Sequence, residues 1–248
     1  MAARLEHPEP IQRLGERARA SCASPLSALP RDDVRLRFGA PLGRDGIDAY
    51  VARIDFDTDA VFAAHDDRLE PAGVAHVGIV DGTAELGVSV LPGHRGRGLG
   101  GALVARACEY ARNRRIGRLW MHCLAENATM MRIARRAGMA IVVDAGEADA
   151  WLALPPPDAA SVVNEFAADQ VALGQRALAH FVLDDEQEDQ SWDELRECAE
   201  ATVGSLRSSL EVFCRDVPKI LQVTVSGIPF LFCDRGVLRD APLPSLRI

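Results

Sequence analysis

The sequence predicts an α/β (α+β) chain: a mixed, mainly antiparallel central sheet flanked by helices, followed by a C-terminal helical extension. Three observations carry this. The runs AVFAAHD, GVAHVGIVDG and TAELGVSVL are short, apolar or alternating, and separated by polar and glycine turns, as strands of an antiparallel meander are. From Gly100 the apolar spacing changes to that of a helix, and a strand-like RLWMHCL and a second helical run, NATMMRIARRAG, follow. The triplet Pro155, Pro156 and Pro157 then ends the pattern, because consecutive prolines continue neither helix nor sheet.

Taken in order, residues 1–33 hold Pro8, Pro10, Pro25 and Pro30 around a short amphipathic piece, Ile11 to Ala20, and are expected to form a loosely attached lead-in. A domain is expected over residues 34–157. Val34, Leu36 and Phe38 alternate and predict a strand, and IDAYVARI after Gly46 predicts a helix. Asp81 and Gly82 suit a two-residue hairpin turn. The helix after Gly100 places Leu99, Leu103, Ala107 and Tyr110 on one stripe and is expected to end in a left-handed cap near Gly117. Asn127 begins the next helix and Gly138 closes it, and MAIVVD and ADAWLAL read as two more strands. In the extension, residues 158–248, Asp158 caps a helix with Phe166, Leu173, Ala177 and Phe181 on one side. Ser191 and Glu194 form a capping box for another, with the stripe Leu195, Cys198, Thr202, Leu206, Leu210 and Phe213. KILQVTVSGIPFLF is expected to give one or two strands.

Composition bounds the function. The 248 residues are 48% hydrophobic and 26% charged, with a formal net charge of -8. That charge is local: residues 184–200 hold nine acids against Arg196, and elsewhere acids and bases balance at 27 each. A balanced body offers no electrostatic footprint for nucleic acid. No apolar run is long enough for a membrane span and MAARLEHPEP has no signal-peptide core, so a cytoplasmic protein is expected. Six dispersed cysteines and six dispersed histidines give no metal-ligand spacing, so no metal is expected. Of 28 cationic residues only Lys219 is a lysine, so a single arginine is weak evidence for an anion site.

The chemistry lies in VSVLPGHRGRGLGGALV, residues 88–104. A strand that enters a glycine-rich turn opening a helix makes an anion site, because the first helical N–H groups are unpaired and the macrodipole favours negative charge. Gly96, Gly98, Gly100 and Gly101 let a phosphate approach the backbone. The Gly-Lys-Ser/Thr ending of a P-loop is absent, and the strands before the turn read as antiparallel, unlike a dinucleotide-binding unit. An acyl-CoA pyrophosphate site explains the stretch best.

The stretch resembles the signature of GCN5-related N-acetyltransferases, with Arg95, Gly98 and Gly100 at the matching positions, and ENATMMRIARRAGM resembles the later helix of that family. The resemblance covers about residues 34–154 and implies a GNAT-type sheet, acetyl-CoA as cosubstrate and an amine acceptor. It implies that backbone groups of Arg95, Gly96, Arg97, Gly98, Leu99, Gly100 and Gly101, with Asn127, hold the cofactor. Val88 and Val90 would pair with its pantetheine arm like an added strand, and the Val90 N–H could receive the oxyanion.

An alkylamine has a pKa of about 10.4, so amide formation near neutral pH needs a base. Glu85 is the candidate. It shares a face of its strand with Gly87, Ser89 and Leu91, and apolar surroundings in a cleft would raise its pKa. Bacterial protein-lysine acetyltransferases of the family carry a glutamate at the matching place, and RIDFDTDAVFAA is similar to theirs. The acceptor is expected to be a protein lysine or else a small amine. Many relatives place a tyrosine seven residues after the asparagine, where this chain has Ala134. Either Ser89, Cys123 or Tyr110 supplies the proton to the departing thiolate, or it leaves unprotonated. The missing tyrosine motivates the alternative of a non-catalytic acyl-CoA-binding regulatory module. His122 and Cys123 are expected to be packed rather than catalytic, Glu126 to contact the acceptor or serve the helix start, and Trp120 and Trp151 to be core. The extension would cover the acceptor cleft, form a homodimer, or neither.

Overall fold

The three alternating runs form antiparallel strands β2 (Ala60–His65), β3 (Pro71–Val80) and β4 (Thr83–Val90), each paired with the next, with one shift of register between Ala64 and His65. Asp81 (φ 48) and Gly82 (φ 74) are both left-handed, as a type I′ turn between β3 and β4 requires. The computed structural model describes residues 11–66, 68, 70–183, 197, 200, 204, 222–225 and 228–231. These strands belong to a seven-stranded sheet with β1 (Ile11–Leu14), β5 (Arg118–Leu124), β6 (Ala140–Asp144) and β7 (Glu147–Ala153), in the order β1-β2-β3-β4-β5-β7-β6. Among these seven strands only β4 and β5 run parallel.

Helices cover both faces, which is why β2 is buried along its whole length. On one face α1 (Arg19–Ser27), α2 (Arg31–Phe38) and α3 (Arg44–Ala52) bring Leu26, Val34 and Ile47 onto Val61, Ala63 and Val74. On the other, α4 (Leu99–Asn113) buries Leu103, Val104 and Ala107 against Phe62, Ala75, Val77, Leu86 and Leu119. Leu103 is fully buried, and such a side chain contributes about 2 kcal/mol by burial. α5 (Ala128–Arg136) packs beside β6, and α6 (Ala159–Leu183) against α4 and β1.

Four local readings are corrected. VRLRF is helical: extended Pro30 precedes α2, Asp32 and Asp33 lie in its first turn, Arg35 and Arg37 in its last, and left-handed Gly39 (φ 72) ends it. These end signals outweigh the two-residue alternation. Residues 11–14, expected in a lead-in, are an edge strand paired with β2 from Ile11↔Ala64 to Leu14↔Val61. The left-handed residue after α4 is Arg115 (φ 58), not Gly117. In α6 the inward face is not the apolar stripe: Ser161, Glu165, Asp169 and Ala172 are buried, whereas Phe166 and Leu173 are half-buried.

Asp158 caps α6 as expected, in a reciprocal pair: the Ser161 N–H donates to Asp158 Oδ1 (2.8 Å) and the Asp158 N–H to Ser161 Oγ (3.1 Å). Gly138 (φ 76) follows α5. The side chains of Ala177 and Phe181 lie outside the described residues; of the helix expected after Ser191 only Glu197, Glu200 and Gly204 are described, and these three are helical, while its apolar stripe lies outside them. β8 (Gln222–Val225) and β9 (Ile228–Leu231) pair antiparallel. Among the described residues no helix is long and apolar enough to cross a membrane.

Candidate functional site

The sheet opens at one place. β4 and β5 pair only through Thr83↔Arg118, Ala84↔Leu119 and Glu85↔Trp120, after which β4 continues on β3 alone to Val90. The Leu91 N–H donates to Ala72 O (2.9 Å) on the β3 side. Backbone groups of a strand alternate sides, so those of Val88 and Val90 point into the gap. A cleft of about 980 Å³ begins there, with Leu86, Gly87, Val88, Ser89 and Val90 along one wall.

The glycine turn closes the far end. Pro92–His94 form a 3-10 turn, Gly96 (φ 81) and Gly98 (φ 87) take conformations that disfavour a Cβ, and Gly98 is the N-cap of α4. No side chain caps α4 and its first turn holds no acid. Ala102 is the first of its residues to donate to a turn carbonyl, Gly98 O at 3.0 Å. The N–H groups of Leu99, Gly100 and Gly101 are therefore left to a ligand. A Cβ on Gly100 would sit 2.9 Å from Ile133 Cδ1, so glycine there lets α4 approach α5 closely. Arg132 and Arg136 of α5, unremarked in the sequence, line this end too.

The expected cofactor residues divide. Gly96, Gly98, Leu99, Gly100, Gly101, Val88, Val90 and Asn127 line the cleft, while Arg97 is exposed outside it. Arg95 lines the cleft but is engaged: its Nε donates to Val90 O (2.9 Å), and Nη2 pairs with Asp33 at 2.8 Å. Asn127 caps α5 by accepting the Met130 N–H at Oδ1 (3.1 Å). Glu85 stands at the closed end of the gap as the last β4 residue paired with β5, but its side chain is exposed. The apolar enclosure expected around it is absent.

α2 crosses the cleft. Asp33 ties it to Arg95 of the glycine turn, and Arg35 binds Glu126 just before α5. Leu36 and Arg37, which follow these ties on α2, line the cleft. Arg37 begins a hydrogen-bonded chain: its Nη2 donates to the Tyr50 hydroxyl (3.0 Å), which lies 2.7 Å from His76 Nδ1, and His76 Nε2 is 3.0 Å from Asp59 Oδ2. With Asp59 accepting at Nε2, Nδ1 is left to accept from Tyr50. Burial lowers the His76 pKa against the pull of Asp59, which keeps this neutral tautomer.

Ala134 is buried in the core. Of the three expected proton donors, Tyr110 is buried against Phe62 (ring centroids 5.5 Å) and does not line the cleft. Ser89 and Cys123 do; Ser89 Oγ is buried without a partner, and burial pushes the Cys123 thiol up, with Asp149 adding to the effect. His122 is half-buried with Nδ1 2.9 Å from Asp149 Oδ1. Trp120 and Trp151 are not core: they stand half-buried, 5.6 Å apart, with Trp120 Nε1–H donating to Asp149 Oδ1 (3.1 Å).

Against known proteins, residues 31–139 match the model of the Acetyltransferase (GNAT) family. A streptothricin acetyltransferase of Streptomyces lavendulae is 42% identical over 53 residues, which is 21% of this chain and 28% of that protein. The match thus spans little more than a quarter of the relative. Among solved structures, the GNAT domain of S. lividans PAT aligns with a TM-score of 0.51 at 21% identity, over 58% of this chain and 89% of that one, and shares the fold. The ribosomal-protein-alanine N-acetyltransferase of Brucella melitensis aligns with a TM-score of 0.47 at 19% identity, over 58% of this chain and 99% of that one.

Proposed function

We propose, since residues 31–139 match the model of the acetyltransferase (GNAT) family, that the protein is an acetyl-CoA-dependent N-acetyltransferase with Glu85 as general base. The observation that carries this is the gap between β4 and β5, which runs from Glu85 to the uncapped end of α4. Acetyl-CoA supplies the activated acetyl group. The N–H groups of Leu99, Gly100 and Gly101, with Arg132 and Arg136 nearby, suit its pyrophosphate. Val88 and Val90 suit its amide-bearing arm, which would run along β4 toward the closed end of the gap.

At that end Glu85 takes a proton from the acceptor ammonium, directly or through water, and the freed amine attacks the thioester carbonyl. A strand N–H aimed into the gap, that of Val88 or Val90, receives the oxyanion. The carbon–sulfur bond then breaks, Cys123 or Ser89 is placed to protonate the thiolate, and the second proton shed by the nitrogen as the amide forms restores that donor. A raised Cys123 pKa suits this, since the group stays protonated at neutral pH. The acceptor is a protein lysine or a small amine.

Two measurements test the reading. Acetyl-CoA should raise the melting temperature, and Glu85→Gln should cut kcat about 100-fold or more while leaving that rise in place. No acetyl-CoA effect on melting would refute the reading; unchanged turnover in Glu85→Gln would remove the base alone.

A further inference from the structure

We propose that the acceptor carries a carboxylate beside its reactive amine, as a free amino acid does, and that Arg37 binds that carboxylate. The inference rests on the acyl-transfer reading above and narrows its acceptor.

The guanidinium of Arg37 lies on the β4 backbone inside the cleft. A Cβ on Gly87 would fall 1.8 Å from its Nη2, so only glycine leaves room for it. It is held from behind, stacked 4.8 Å from the Phe38 ring centroid and 5.6 Å from that of Tyr50, and anchored through Tyr50 and His76 to Asp59. Its Nε is buried with no hydrogen-bond partner. Among the described residues no carboxylate lies within ion-pair distance of it, whereas Arg19, Arg35, Arg95, Arg106, Arg112 and Arg114 each have one. A partly buried cation without a counterion is costly, and a fixed, unsatisfied guanidinium in a cleft is a carboxylate receptor.

The cofactor cannot supply that anion. Its phosphates belong at the N-terminus of α4, beyond Val90, and Gly87 lies three residues up the strand, about 10 Å away. What reaches Gly87 is the uncharged thioester end. The anion therefore comes with the acceptor. Glu85 stands two residues further along the same face of β4, about 7 Å on, so a carboxylate on Arg37 leaves an amine one or two carbons away near Glu85. A lysine within a protein chain lacks such a neighbouring carboxylate, which favours the small-amine acceptor.

The test measures CoA thiol release and melting for a panel of L-amino acids and the amide of each. Expected is a kcat/KM at least 10-fold higher for acids than for their amides, and a melting rise by the preferred acid, with CoA present, that its amide lacks. Arg37→Gln should raise KM for the acid 10-fold or more with kcat within threefold, leave the amide unchanged, and abolish the melting rise; Arg37→Lys should restore part of it. Gly87→Ala should act like Arg37→Gln, because the added Cβ meets only the guanidinium of that side chain and drives it off its place. Equal kinetics on acids and amides, an equal fall in kcat for both in Arg37→Gln, or no acid-specific melting rise together with no turnover would each overturn the proposal. Those outcomes leave the acyl-transfer reading standing if acetyl-CoA still raises the melting temperature; loss of that effect removes both.

Discussion

Arg37 and Arg106 are the same side chain in similar packing on opposite faces of the sheet. Arg37 stacks 4.8 Å from the ring centroid of Phe38, and Arg106 lies 5.1 Å from that of Phe62. Arg106 meets three acids: it is hydrogen-bonded to Asp169 and lies 3.9 Å from Glu165 and 3.8 Å from Glu109. Arg37 meets none among the described residues. Around Arg106 the charges are neutralised within the fold, because α6 turns its polar face inward. Asn113 donates to Glu165 (2.6 Å) and to Ser161 O (3.0 Å), and Arg114 donates to Glu165 (3.0 Å). Neutralised charges of this kind fix how α6 docks, although Arg106 Nε and Nη1 are buried without hydrogen-bond partners as Arg37 Nε is; the difference is the carboxylates that, among the described residues, Arg106 has and Arg37 lacks.

Breaking the Arg106 network should have the largest effect on stability. Asp169→Ala leaves Arg106 buried with only its weaker partners, and a cost of about 4 kcal/mol is expected in chemical denaturation. Arg37→Gln breaks no ion pair and should stay within about 1 kcal/mol of the parent. Similar costs for the two variants would erase the distinction between the faces.

Acid should probe a second contact of α6, where Arg176 Nη1 lies 3.4 Å from His65 Nε2. Burial, with Arg176 adding to it, pushes His65 down to about 4, while Asp66 pulls weakly the other way. An unfolded histidine binds its proton near pH 6.5, so its contribution is fully present above that value and is lost as pH falls toward 4. The loss amounts to roughly 3 kcal/mol. Asp169 acts in the opposite sense: burial holds its carboxyl above the usual range despite Arg106, so its protonation favours the fold as pH falls. His65→Gln should therefore flatten the decline in stability between pH 6.5 and 4; an unchanged slope would assign it to other groups.

How legible each region was in the sequence follows from what holds it together. The meander, α4, the glycine turn and Asn127 were readable because alternation, glycine spacing and capping are local signals. α2 was misread because Val34, Leu36 and Phe38 alternate by chance on a helix where only Val34 is fully buried. That error hid Arg37, whose role depends on Gly87, Tyr50, His76 and Asp59, brought together only by the fold. α6 was misread for a related reason: a hydrophobic stripe predicts the buried face only when the partner surface is apolar, and here that surface carries Arg106, Asn113 and Arg114. Glu85 was placed on the correct strand, but its exposure depends on where β5 leaves β4.

Smaller effects should separate backbone from side chain within the cofactor end. Gly98 has φ 87, so Gly98→Ala should cost about 1–2 kcal/mol in stability and, by disturbing the start of α4, about 10-fold in acetyl-CoA affinity. Arg95→Gln should do less. Although Arg95 matches a family signature, its guanidinium is spent on Val90 O and Asp33, and its ion pair is half-exposed. Such pairs contribute about 0.2–1 kcal/mol, so a change in acetyl-CoA affinity below about fivefold is expected by titration. A loss of 100-fold would mean that Arg95 leaves Asp33 to meet the phosphates. In that case α2 loses one of its two ties across the cleft whenever cofactor binds, and Arg37, carried on the same helix, would be positioned by the cofactor rather than by Tyr50 alone.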